Sequence, residues 1–365
     1  MTALPPEHTT ALAAGRPLRH QAPSLASVAG VSLASIWTVW FALAEWRDGM
    51  LALDLRAAYL PAAHALLHGI SPYPSVTTAA ISQDDGYLYP PLVGWLVTPL
   101  TWLPLSLAEV IGATLALAAA FAALRLVGVR DWRCYVLLVF YLPVIVGMQT
   151  ANVIVLLVVG SAALWRWREH NGRTAVLLGF LIAVKLLLVP LLVWLLARRR
   201  YKAFALCITS AAAFILVPWS VIGFRGLGTY PKLVRLVADV QGPKSYTLGA
   251  LAGQSGRVVA TSLGVAALAA CWSFARRGDE RRAFSAAIVA VILLSPVVWM
   301  TYLALLLVPL ALKAPRFNRW WLVPLLLWVC PATHNGATWQ TATGVSIAFL
   351  LALYAITGRP VQAHA

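Results

Sequence analysis

Long apolar runs alternate with short basic clusters along most of the chain. The first run, Leu25 to Ala44, is about 20 residues, the length a helix needs to cross the hydrocarbon core of a bilayer. Later runs at Ala203–Pro218, Arg257–Phe274, Ala283–Leu294, Leu303–Leu312, Trp320–Cys330 and Thr341–Ile356 predict further membrane helices. Simple alternation of these places Arg198–Lys202, Arg276–Arg282, Lys313–Arg319 and Arg359 on one side, the cytoplasmic side by the positive-inside rule. The front half is less regular. Pro90–Leu103, Leu105–Val127, Cys134–Val146, Val153–Trp165 and Ala175–Ala197 predict five crossings. That count puts Arg125–Arg133 and Arg166–Arg173 outside, against the same rule. Several of these segments are short for a full span and suit half-depth hairpins, so the chain predicts an all-α polytopic bundle of about 10 or 11 transmembrane or half-depth helices. The expected layout is a cytoplasmic tail at 1–24, one membrane domain at 25–357 with outer loops at 45–89 and 221–256, and a second cytoplasmic tail at 358–365.

Composition strengthens the membrane reading. Of 365 residues, 61% are hydrophobic and 11% charged, and mean hydropathy is +0.80. A water-soluble fold could not cover so much apolar surface, whereas lipid accepts it. The net charge of +16 does not imply nucleic acid, because the basic residues form short clusters between apolar runs and no continuous stripe interleaved with aromatics. Cys134, Cys207, Cys271 and Cys330 lie in or beside apolar runs without CxxC spacing, so no redox or zinc motif is expected.

Charge does single out one region. Of the 12 acidic residues, Glu45, Asp48, Asp54, Asp84 and Asp85 fall in the first outer loop. Asp54 opens a stretch in which Tyr59, Ala62, Ala63, Leu66 and Leu67 repeat at helical spacing, with Gly69 as a stop and Pro72 forcing an extended exit. An amphipathic helix along the outer surface follows, with a carboxylate at its start. That carboxylate is either a helix cap or a reactive group. His64 and His68 have the spacing of a metal pair, but no third ligand is evident and no metal or other cofactor is expected. Lys185 lies inside an apolar run. Such a residue either snorkels to an interface or faces a cavity or a polar partner, and Gln149 and Asn152 are nearby polar candidates.

The order Asp54, Tyr59, Gly69, Pro72, Tyr73 and then Tyr87, Tyr89, Pro90, Pro91 resembles the opening of glycosyltransferase family 87. Gly147, Gln149 and Asn152 resemble its Gly-Gln-x-Asn turn with insertions. Gly179, Lys185 and Pro190, followed by Arg198, Arg199 and Arg200, resemble its lysine–proline helix and basic exit. Ser295, Pro296 and Trp299 resemble its Ser-Pro-x-x-Trp motif. The resemblance runs from about residue 30 to residue 310. Thr301 and Tyr302 stand where the family often carries a His pair, and Lys244, Ser245 and Tyr246 match the family's later polar loop poorly.

The resemblance implies a GT-C fold and a hexosyltransferase, with mannose the expected sugar. Its donor would be a polyprenyl-phosphate sugar and its acceptor a lipid-linked or envelope glycan. The site would lie on the extracytoplasmic face of the inner plasma membrane, among membrane lipids. By resemblance Asp54 is the general base, and Arg56, Lys185, Lys244 and Arg257 are candidates for the phosphate. Tyr59, Tyr87, Tyr89, Gln149, Asn152, Trp299 and Tyr302 complete the expected binding set. Aromatics at that level also serve as interfacial anchors. The alternative is a transporter or lipid flippase, which short, broken helices and an intramembrane lysine would also suit.

Overall fold

The computed structural model describes residues 24–82, 86–332 and 334–358. The expected tails, apart from Ser24 and Gly358, lie outside the described residues, as do Asp84, Asp85 and Arg359. Every regular element among the described residues is helical. Helix α1 (Leu25–Arg47) starts where expected, capped by Ser24. It is apolar on all sides and only 6% of its span is buried. A helix that greasy and that exposed is at home only in lipid.

The chain then makes a compact excursion. A five-residue π-helical stretch (Leu55–Tyr59) runs into α2 (Leu60–Leu67), which Gly69 ends with φ +67°. Tyr59, Ala62, Ala63 and Leu66 are buried, as the periodicity predicts, but Leu67 is exposed. After α3 (Thr78–Ser82) come α4 (Pro91–Val97) and a 3-10 turn (Thr98–Trp102). These two do not form a crossing. Gly94 of α4 seats against Leu66, and the 3-10 turn packs against the same helix α2, so both ends of Pro90–Leu103 stay with the excursion.

The remaining legs run between two ends of the bundle. They are α5 (Leu105–Leu126), the pair α6 (Trp132–Leu138) and α7 (Leu142–Thr150) bent by 58°, α8 (Ile154–Arg166), α9 (Asn171–Val184) and α10 (Leu191–Ala197). Next follow α11 (Tyr201–Val221), the short α12 (Tyr230–Gln241), α13 (Leu248–Arg276), α14 (Glu280–Leu294), α15 (Leu307–Lys313) and α16 (Thr338–Ile356). Five helices, α1, α5, α11, α13 and α16, are long and apolar enough to cross a membrane, and the bent pair makes a sixth. Shorter apolar helices of 10–17 residues accompany them, which accords with a mixture of full and half-depth legs. Residues Ala283–Val291 of α14, most of α8 and the segment Met300–Ala311 are buried and form the centre.

One expectation about the front half is corrected. Arg198 donates to the carbonyl of Arg168 at 3.0 Å, and Glu280 pairs with both arginines. Arg133 sits 5.0 Å over the Phe317 ring, and Lys313 donates to the carbonyl of Tyr354 at 2.7 Å. Arg125 and Arg130 share a cavity with Arg166 and Arg168. All these basic clusters therefore gather at one end. Counting misplaced two of them because it scored Pro90–Leu103 as a crossing and Ala175–Ala197 as one leg. The latter is two legs, α9 and α10, with a break at Lys185 (φ −154°, ψ 121°). Pro190 has no N–H for the carbonyl of Leu186, which favours that break.

Close helix contact depends on small residues. A Cβ at Gly179 would lie 2.8 Å from the Cys207 carbonyl oxygen and 2.9 Å from the Ala211 nitrogen of α11. Backbone cannot yield as a side chain would. Gly179→Ala should therefore separate α9 from α11 and lower stability by about 1–3 kcal/mol, read as a lower Tm in detergent.

Candidate active site

The breaks in the legs fall at the end opposite the basic clusters, and there the polar side chains meet. Asn152 Nδ2 donates to Asp54 Oδ2 at 2.5 Å, while Asn152 Oδ1 accepts from the Ile154 amide at 2.9 Å. The second bond fixes which way the amide faces. Asp54 precedes a helical stretch but makes no capping bond, so its carboxylate serves the Asn152 contact instead.

Both partners are delivered by unusual backbone. Ala52 has φ +53° and Ala151 has φ +51°. The left-handed region costs an L-residue about 1–2 kcal/mol, so each turn is held by its surroundings. The Ala151 turn ends α7 and swings Asn152 out of the helix, its N–H returning to the Gly147 carbonyl at 3.0 Å. Gly112 of α5 makes room for both sides: a Cβ there would lie 2.8 Å from Leu55 and 3.2 Å from Ala151.

Around this pair lie Tyr59, Tyr89, Lys185 and Tyr302. Tyr59 donates to Tyr89 at 3.2 Å and accepts from the Val153 amide at 3.4 Å. Burial first, then neighbouring charge including that of Asp54, pushes both phenols above the ordinary tyrosine range, so they remain hydroxyl donors. The Lys185 ammonium lies 4.7 Å from the Tyr89 ring centre and 4.2 Å from that of Tyr302, within electrostatic reach of Asp54. Tyr89, Lys185, Trp299 and Tyr302 line a cavity of about 390 Å³ whose other walls are mostly apolar, among them Val237 and Leu294. Ser295, Pro296, Val297 and Trp299 line this cavity, whereas Val298, between the last two, faces a second, apolar one of about 710 Å³.

The other expected residues are placed elsewhere. Arg56 pairs with buried Glu109 at 3.6 Å and donates to the Gly49 carbonyl. Tyr87 braces the Pro90 carbonyl at 2.5 Å and the Gly94 amide at 2.9 Å. Gln149 donates to Glu45 at 2.6 Å, a tie between α7 and the end of α1. Lys244 lies in a turn whose carbonyl accepts from the Asn335 amide at 3.2 Å, and Arg257 lies beside Gly242 and 4.0 Å from Asp239. Neither lines the 390 Å³ cavity. Tyr230 lines it without having been singled out, and His334 meets the Trp299 ring edge-on at 5.9 Å. The Pro and Gly around Tyr230 gave no hint, and His334 comes from a loop far along the chain. Among the described residues, no group of three or more His, Cys, Asp or Glu side chains could hold a metal ion.

The fold and site thus define a multi-pass helical membrane protein with a carboxylate, an amide and a lysine gathered beside an apolar cavity. The family model of glycosyltransferase family 87 matches residues 87–297, more than half of the chain. The chain belongs to glycosyltransferase family 87 and is a membrane glycosyltransferase. The matched stretch holds Tyr89, Asn152 and Lys185 but begins after Asp54 and ends before Trp299. No curated protein and no solved structure matches the chain.

Because Gly112 lets Leu55 and Ala151 approach, a larger residue there should part Asp54 from Asn152. A displacement of about 1 Å at a reacting group lowers turnover roughly 100-fold. Gly112→Leu should show such a loss in a transfer assay, with helix content by circular dichroism unchanged.

Proposed function

We propose that the protein transfers a hexose, with mannose the first candidate, from a polyprenyl-phosphate donor to a lipid-linked or envelope glycan. The observation that carries this reading is the Asp54–Asn152 pair beside Lys185, which lines a largely apolar cavity. Such a site suits a substrate that is sugar at one end and hydrocarbon at the other. The positive-inside rule makes the end holding the basic clusters cytoplasmic, which puts the Asp54 end on the extracytoplasmic face of the inner membrane. A GT-C architecture is the family's expectation for such a bundle.

In the proposed step an acceptor hydroxyl attacks the anomeric carbon of the donor. Asp54 takes the hydroxyl proton as the new C–O bond forms. The bond from the anomeric carbon to the phosphate oxygen breaks, and its electron pair leaves with the polyprenyl phosphate. Attack from the face opposite the phosphate inverts the anomeric centre. Asn152 positions Asp54 through its amide. Lys185 supplies positive charge where the phosphate becomes more negative. Tyr59 and Tyr89 offer hydroxyl groups to the sugar, and Trp299 and Tyr302 offer flat apolar faces. Lys244 and Arg257 sit beside the Ser295–Trp299 segment as cations for the approach of the donor. Membership of a transferase family favours covalent transfer over transport.

Membranes carrying the protein should convert labelled polyprenyl-phosphate mannose, in preference to the arabinose donor, into a new glycan product. Asp54→Asn should lower transfer by about 100- to 10,000-fold, the usual weight of a general base, while the protein stays folded and inserted. Undiminished product from that variant would remove Asp54 from the chemistry. Lys185→Met should reduce turnover roughly 100-fold or more, and Lys185→Arg should recover part of it.

A further inference from the structure

At the far end from Asp54, a second polar cavity is built from the ends of α5 and α8. It holds about 330 Å³, and its lining includes Arg125, Arg130, Arg166, Arg168, Leu126 and Trp165. Five basic side chains at that end are paired with carboxylates. Arg133 pairs with Asp131, Arg198 and Arg200 with Glu169, Arg282 with Asp279, and Arg168 with Glu280. No ion pair engages Arg125, Arg130 or Arg166 among the described residues.

Nor are these arginines spent on helix ends. The last carbonyls of α5 are answered by backbone: Val127 N donates to Ala123 O at 3.1 Å, Gly128 N to Arg125 O at 3.1 Å and Val129 N to Leu124 O at 3.0 Å. Gly128, at φ +92°, makes that closure possible. At the end of α8, Trp167 N closes on Ala163 O at 2.9 Å, and Arg168 alone reaches the Trp165 carbonyl, at 3.0 Å. Arg125, Arg130 and Arg166 therefore bring positive charge to one cavity with no carboxylate paired to any of the three among the described residues.

We propose that this cavity binds the phosphate headgroup of an anionic phospholipid. Guanidinium groups are planar donors that match phosphate oxygens in pairs. The position decides for a lipid over a free anion. The cavity sits at the end of α5, an apolar 22-residue helix only 44% buried, so acyl chains lie alongside it. Leu126 and Val127 form part of its wall. Arg168 stacks 4.3 Å from the Trp165 ring, and Trp167 beside it is 36% exposed, as indoles at a headgroup layer are. The site stands apart from Asp54, and its existence does not depend on which sugar is moved.

The test uses the full chain, delipidated in detergent and titrated by native mass spectrometry with cardiolipin, phosphatidylglycerol, phosphatidylcholine and inorganic phosphate. The wild-type protein should hold the two anionic lipids roughly tenfold or more tighter than phosphatidylcholine. Arg125→Gln/Arg130→Gln/Arg166→Gln should abolish that preference. Arg276→Gln/Arg277→Gln, at the same end but outside the cavity, should keep it. Arg166→Gln alone, a milder change, should weaken anionic lipid binding several-fold and keeps the test open if the triple variant does not fold. Equal affinity for phosphatidylcholine, or cavity variants that bind as the wild type does, would overturn the proposal. Inorganic phosphate bound as tightly as the lipids would overturn it too, in favour of a free-anion site.

Discussion

Asn152 and Asp54 are 98 residues apart in sequence and share a hydrogen bond of 2.5 Å, and the geometry of the whole upper end of the bundle serves that contact. One partner hangs from the excursion between α1 and α5. The other is thrown out of α7 by a left-handed alanine. Neither segment could hold its partner by itself, because a short helix and a single turn have too little buried surface to fix a carboxylate. α5 passes between them and its Gly112 removes the side chain that would keep them apart. The Glu45–Gln149 bond adds a second tie between the same two regions, from the last turn of α1 to the last turn of α7.

Strain and position are linked here. Ala52 is fully buried and Ala151 is partly so, and both occupy backbone that glycine would adopt more easily. Glycine would also loosen the turns. Using alanine keeps each turn stiff at some expense in stability, which suits side chains that must stay aligned while a substrate enters. Three legs are interrupted at this level, at Asn152, Lys185 and Ser295, and Lys185 and Ser295 line one cavity.

Much of the fold was legible in the sequence. The first helix begins at Leu25 as its apolar run indicates, and Gly69 ends α2 as its conformational freedom allows. The extra turn of α1 through Arg47 was not visible, because hydropathy falls at Glu45 before the helix does. The break at Lys185 escaped for a related reason. A run of apolar residues reports its solvent and says little about its backbone, so Ala175–Ala197 read as one leg. The site was harder. Lys185 stood out as an ionisable residue inside an apolar run, Asp54 as a scarce carboxylate at the start of an amphipathic helix, and Asn152 through the family's turn motif. Arg56 was chosen by charge and proximity, but its partner Glu109 lies on α5, and no local pattern could reveal that pairing. His334 reaches Trp299 through tertiary structure alone.

The extended run from Ser295 to Trp299 has one more implication. Its neighbours along the chain look to opposite sides, Val298 into one hollow and Val297 and Trp299 into the other. The length of this strip is therefore more tightly constrained than its composition. Swapping one aliphatic residue for another would alter the lining of a single hollow. Deleting Val297 would turn Val298 and Trp299 each toward the other hollow. Relatives of this protein are accordingly expected to vary in what the strip carries but not in how many residues it spans.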